Sequence, residues 1–352
     1  MSIYFTYLIV AAILMAAELL YFRIADRFNI IDKPNERSSH STVVLRGGGI
    51  VFSLSMVVWA VLMIVQGKNI VEYLPFLCGL LLVAGVSFWD DVHSLPDSVR
   101  LVVQFVATGL MFWSIVLSTG GLSGMAWYWV IAIGIVALIV FVGATDVINF
   151  MDGINGITAG YALAVLVPLV LVNGSTAGSG IEGFVEPSYL VVAIIGVLVF
   201  SFFNFRPKGK AKCFAGDVGS IGIAFIMLFA IGLLIARTGD ITWLIFLLVY
   251  GVDGCCTIGH RIMLHENLGE AHRKHAYQLM ANELKMGHVT VSLVYMGMQL
   301  VISLGFIYLC PATVLAHWIY LLCAGAVLVV AYVLFMKKYY HLHEEYLAGL
   351  KK

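Results

Sequence analysis

The sequence predicts an all-α, polytopic integral membrane protein of about 11 transmembrane helices, on three observations. Hydrophobic residues make up 61% of the 352-residue chain and charged residues only 11%, against roughly 25% charged in a soluble domain. Twenty basic and twenty acidic side chains cannot coat a water-exposed surface of this size. The apolar residues also fall into long blocks, each near the ~20 residues that cross a bilayer as a helix. A secreted domain, a cytosolic enzyme and a disordered regulator are excluded.

Eleven blocks read as spans: 2–22, 47–66, 73–89, 99–118, 126–148, 157–173, 188–203, 218–236, 241–258, 289–309 and 314–336. They leave no room for a soluble domain, so residues 1–352 read as one multi-span membrane domain. Any chemistry must sit in short loops, at about 23–46, 90–98, 149–156, 204–217 and 259–288. The first block does not read as a cleavable signal peptide: only Met1 and Ser2 precede it, and Arg23 and Arg27 follow it. Assigning loops to alternate sides puts 18 of the 20 Lys and Arg on one side, with Lys68 and Arg237 on the other. The positive-inside rule then makes the loaded side cytoplasmic, with the N-terminus outside and the C-terminus inside. Nine of the ten histidines share that side or its edge, His317 being the exception. The six cysteines show no CxxC spacing and read as small core residues, not as disulfides or metal ligands.

The inner loops carry the polar chemistry. In the first, Arg37, Ser38, Ser39 and His40 are donors suited to an anion, and Arg46 precedes Gly47-Gly48-Gly49, where backbone N–H groups can approach a phosphate. Lipid anchoring and helix packing are the plainer reading of that loop. Asp90 and Asp91 follow a span directly; adjacent carboxylates near hydrocarbon are costly, and a cation relieves the cost. Asp97 and Arg100 read as a helix cap and a snorkelling anchor.

The third loop holds Asp146, Asn149, Asp152 and Asn155 at spacings of three, hard oxygen donors that suit Mg²⁺ or a sugar. It is no EF-hand, since the bidentate glutamate is missing. The fourth alternates Arg206, Lys208, Lys210 and Lys212, then opens a span with Gly216-Asp217, a helix N-terminus suited to phosphate and metal. The fifth concentrates His272, Arg273, Lys274 and His275, without the partners of a zinc site. Asp253 lies inside a span, where a carboxylate usually has a partner or a function. Carboxylates for a metal and cations for phosphate oxygens, gathered at one membrane edge, are equipment for a phosphorylated substrate with Mg²⁺. One substrate is then a soluble nucleotide derivative and the other a lipid.

These stretches resemble a known family. PNERSSHSTVVLRGGG, WDD at 89–91, NFMDGINGITAG at 149–160, CFAGDVGS at 213–220 and AHRKHAYQ at 271–278 are similar, loop by loop and in order, to the polyprenyl-phosphate N-acetylhexosamine-1-phosphate transferases (MraY/WecA-like). The resemblance implies transfer of N-acetylhexosamine 1-phosphate from a UDP-N-acetylhexosamine to undecaprenyl phosphate in a bacterial inner membrane, releasing UMP at the cytoplasmic face. It implies Mg²⁺ (Mn²⁺ as the alternative metal) held by Asp217 and Asn149. It implies catalytic roles for Asp90, Asp91 and Asp152, and substrate contacts from Arg37, His40, Arg46, Asn155, Asn204, His272, Arg273 and His275. No nucleic acid is expected, and a homodimer stays open. Arg46 before three glycines, and histidines separated by Arg273-Lys274, look more like the O-antigen branch than the peptidoglycan branch. Whether Asp90 acts as a base, the aspartate pair shapes the metal site, or an aspartyl-phosphate forms stays open. An ion-coupled transporter is the alternative from another class, although transporter sites lie near the bilayer midplane rather than at one edge.

Overall fold

The structure is a computed structural model that describes residues 3–32, 43–120, 126–174, 183–268 and 272–350. It is a helical bundle of α1 (Ile3–Arg27), α2 (Ile50–Val65), α3 (Leu74–Val92), α4 (Asp97–Ser118), α5 (Trp127–Phe150), α6 (Ile157–Asn173), α7 (Pro187–Asn204), α8 (Gly216–Thr238), α9 (Leu248–Met263), α10 (Ala276–Asn282), α11 (His288–Tyr308) and α12 (Val314–Leu350). A single 3₁₀ turn (Val71–Tyr73) leads into α3 and a seven-residue 3₁₀ segment (Ile241–Leu247) into α9. Among the described residues, nine helical segments are long and apolar enough to cross a membrane, while α2 and α6 are shorter apolar helices. Together they account for the eleven apolar blocks. The chain is a multi-pass membrane protein.

The helix α8 is the axis. Every residue from Val218 to Leu234 is buried, as expected of a helix that is apolar all round and enclosed by others. Helices α3, α5, α2, α4 and α6 surround it. The approach of α2 is set by glycine: a Cβ on Gly49 would lie 2.3 Å from the Cα of Gly219. In contrast, α12 is largely exposed and leans on α9 and α10.

Among the described residues, the strand content is one antiparallel two-residue pair, Ile31–Asp32 with Val44–Leu45, extended by a bridge from Leu45 to Cys213. This stitches the loop before α2 to the loop before α8. The cysteines carry no disulfide, but their reading as core residues holds only in part: Cys213 is buried, whereas Cys78, Cys255 and Cys323 are exposed. On a membrane protein the outer surface is apolar too, so an apolar block does not tell core from lipid-facing side.

Candidate active site

At one end of the bundle the start of α8 meets the end of α3. Gly216 has φ +69°, and a Cβ there would lie 2.5 Å from an Asp91 oxygen, so glycine permits the sharp entry. Asp91 accepts the backbone N–H of Asp217 and of Val218, each at 3.0 Å. It therefore caps α8 and fixes where Asp217 stands.

Two arginines bind this corner. Arg46 Nε lies 2.7 Å from Asp91 and its terminal nitrogen 3.8 Å from Asp217. Arg100 reaches Asp90 at 3.1 Å and Asp217 at 3.4 Å. Three carboxylates thus face two guanidiniums across one small volume. Asn149 joins them: its side-chain oxygen accepts from Ser220 Oγ at 2.6 Å, and Ser220 is one turn beyond Asp217 on the same face of α8. Ser220 thus links Asn149 to the face of α8 that carries Asp217, and both side chains offer hard oxygens of the kind that suits Mg²⁺ or Mn²⁺.

Beyond Arg100 opens a cavity of about 490 Å³, lined also by Gln104, Asp146, Arg261, His272 and His275. Gln104 donates to Asp146 at 2.9 Å. Burial, reinforced by the nearby charges of His275, Arg261 and Lys274, pushes His272 down to about 3. It therefore meets a ligand as a neutral imidazole.

The remaining sequence-derived residues are placed differently. Asp152 sits in the connection before α6, accepts from Thr158 Oγ1, and is pushed up to about 6 by burial. The Asn155 amide donates to the carbonyls of Arg206 and Pro207 at 2.9 and 3.1 Å. Asn204 donates to Cys213 O at 2.8 Å and accepts from Gly156 N–H at 2.7 Å. Both amides tie the connection before α6 to the loop before α8. Arg273 turns away from the cavity, pairing with Glu283 at 2.8 Å and stacking over Tyr346 at 4.3 Å. It braces the histidine loop on α12. The expectation of glycine N–H groups facing a phosphate gives way. Gly48 and Gly49 donate to the carbonyls of Phe214 and Ala215, so these glycines serve close packing. Arg37 and His40 lie outside the described residues.

Arg100 is the residue that sequence reasoning misplaced. A signal was present. It stands in the first turn of α4, where the helix dipole opposes a cation, so it needed an acidic partner more than a lipid one.

Residues 73–236 match the profile of glycosyl transferase family 4, a stretch that contains Asp90, Asp91, Arg100, Asn149 and Asp217. Within that stretch the chain is similar to glycosyl transferase family 4. Named relatives agree. The chain is 28% identical to a probable undecaprenyl-phosphate N-acetylglucosaminyl 1-phosphate transferase of Bacillus subtilis (strain 168), over 58% of this chain and 55% of that protein. It is 26% identical to the decaprenyl-phosphate N-acetylglucosaminephosphotransferase of Mycobacterium leprae (strain TN), over 61% and 58%. It is 28% identical to a phospho-N-acetylmuramoyl-pentapeptide-transferase of Streptococcus pneumoniae (strain CGSP14), over 50% and 55%. The chain thus spans about half the length of the curated relatives it matches. The family-4 segment supplies the acidic corner, while Arg46 and the histidine loop lie on either side of it.

Proposed function

We propose that this protein transfers N-acetylhexosamine 1-phosphate from a UDP-N-acetylhexosamine to undecaprenyl phosphate, releasing UMP. A phosphate oxygen of the lipid attacks the sugar-bearing phosphorus of the donor, and the bond from that phosphorus to the UMP oxygen breaks. The observation that carries this reading is the acidic corner bridged by Arg46 and Arg100, next to a cavity walled by Arg100, Arg261, His272 and His275. Arg46 and Arg100 have ionic partners that a phosphate can replace, so a diphosphate can enter with its charge already matched. Asp217 and Asn149 would hold Mg²⁺. When bound, the ion offsets phosphate repulsion and stabilises charge on the departing UMP.

A strong base is unnecessary, because a phosphate monoester has a second pKa of about 6 and is mostly dianionic at neutral pH. Both oxygens of Asp91 accept bonds from α8, and those of Asp90 are taken by Leu95 N–H and Arg100. The pair therefore sets the positions of Asp217 and of the two arginines. We assign the active site to the cytoplasmic face of a bacterial inner membrane, with the N-terminus outside. We place the chain in the branch that starts O-antigen or other envelope polysaccharide, on the Arg46-Gly-Gly-Gly and Arg273-Lys274 features.

The test is UMP release by purified protein in nanodiscs supplied with undecaprenyl phosphate, Mg²⁺ and a panel of UDP-sugars. Turnover that requires the lipid phosphate supports the reading; no turnover with any donor overturns it. Topology is tested separately. A cysteine at Lys210 should react with an impermeant thiol reagent only after permeabilisation, and labelling from outside would reverse the orientation.

A further inference from the structure

Asp253 is buried within α9, at a depth where an ionised carboxylate is costly unless donors surround it. Four do. Thr257 Oγ1 lies 3.1 Å from Oδ1, the backbone N–H of Ala276 3.2 Å and the His275 Nδ1 3.2 Å, while Tyr295 OH donates to Oδ2 at 2.5 Å. The set draws α10 and α11 onto α9, yet three of its members are neutral groups that any scaffold could supply. The fourth is a ring whose other edge is different. His275 Nε2 is buried, has no hydrogen-bond partner, and belongs to a side chain that lines the 490 Å³ cavity beside Arg100, Arg261 and His272.

The tautomer follows from charge. Nδ1 also accepts the backbone N–H of Gln278 in the capping box of α10, which by itself would suit a bare nitrogen. Against an ionised carboxylate, however, a bare nitrogen lone pair is repelled and an N–H is attracted. The carboxylate thus favours the proton on Nδ1, which leaves Nε2 as the edge given to the cavity.

We propose that Asp253 is a positioning residue for the transfer reaction: by holding the Nδ1 proton of His275 it aims Nε2 at the donor diphosphate. The inference rests on the function proposed above. In its protonated form the ring donates Nε2–H to a phosphate oxygen, with Asp253 balancing the charge from behind. A carboxylate that orients an imidazole and stabilises its protonated form in this way can be worth far more than one hydrogen bond. No bond in the protein is made or broken.

The test is a double-mutant cycle with a spectroscopic arm. Asp253→Asn should lower kcat/KM by about 10–100-fold, the range for loss of an orienting partner. In a His275→Ala background the same change should cost less than about 2-fold, because its only route to the reaction is gone. Thr257→Val removes a neutral donor from the same carboxylate and should keep activity within about 3-fold. Losses from Asp253→Asn of equal size in both backgrounds would show a purely structural role and overturn the proposal. Independently of any variant, ¹⁵N-histidine NMR of the wild-type protein in nanodiscs should show His275 protonated at Nδ1. A neutral ring protonated at Nε2 alone would overturn it even if Asp253→Asn fails to fold. If the wild type shows no transferase turnover, the proposed function falls, whereas the tautomer still decides the arrangement of Asp253 and His275.

Discussion

The two ends of the bundle hold their charges differently. At the end away from the candidate site, ionic groups are matched singly. Lys68 pairs with Glu186 at 2.5 Å, His317 with Asp240 at 2.5 Å, and Arg237 donates to the Ser118 carbonyl. At the site end, three carboxylates share two arginines, and buried edges of Gln104, His272 and His275 have no hydrogen-bond partner. Single pairing closes a loop and ends there. Shared, exchangeable pairing beside unsatisfied buried atoms costs stability unless something binds. The far end has unpartnered buried atoms too, Ser118 Oγ and Trp243 Nε1, so what marks the candidate site is the sharing of two arginines by three carboxylates.

The comparison breaks most sharply at Asp217. Asp217→Asn keeps the size of the side chain and removes its charge, and should lower turnover by at least ~10²-fold, the scale of one strong electrostatic contact. Part of the loss should return at high Mg²⁺. Near wild-type turnover at low Mg²⁺ would move the metal site away from α8.

Arg100→Ala comes next, with an expected loss of about 10–100-fold in UMP release and a raised KM for the UDP-sugar. Lys would restore charge but not the forked reach to Asp90 and Asp217, and should recover only part. If Arg100→Ala is neutral, the residue returns to the role of a lipid-facing anchor.

Asp152 sharpens the comparison through pH. Burial raises it from 3.8 to about 6, so folding disfavours its ionised form. That cost is absent below about pH 4 and complete above about pH 6. Asp152→Asn removes the cost, and its melting temperature should gain on the wild type as pH rises through this window. A constant difference from pH 4 to 7 would place Asp152 at its ordinary value.

The smallest effects belong to the singly paired end and to the exposed Asp97. Lys68→Ala and Asp97→Asn should each leave turnover within about 2-fold, since exposed pairs contribute little. A large loss from Lys68→Ala would mean that the far end also serves the reaction.

Much of this was legible in the sequence, for a physical reason. Spans must be long and apolar, so hydrophobicity alone marked eleven of the helices, including α2 and α6 with their shorter lengths. Asp90, Asp91, Asn149 and Asp217 stood out because polar oxygens at a membrane edge are costly without a task. What escaped depended on tertiary geometry. Nothing local shows that an asparagine ties two loops together, as Asn155 and Asn204 do. The strand pair at Ile31–Asp32 and Val44–Leu45 is too short to show alternation. The helix α10 has only seven residues within a polar loop. The apolar block at 314–336 ended where hydrophobicity ended, yet α12 runs on to Leu350, because Lys, Tyr, His and Glu are all tolerated in a helix and no proline interrupts them.

That continuation makes α12 a rod of two parts. At 1.5 Å per residue its 37 residues reach about 55 Å, well beyond the ~30 Å of a hydrocarbon core. The surplus carries His343, 3.0 Å from Glu283, and Tyr346, stacked under Arg273. The lower part is gripped by the bilayer and the upper part by the loop that presents His275. The turns beyond the hydrocarbon length thus act as a brace, through Glu283 and Arg273, for the loop that carries His275.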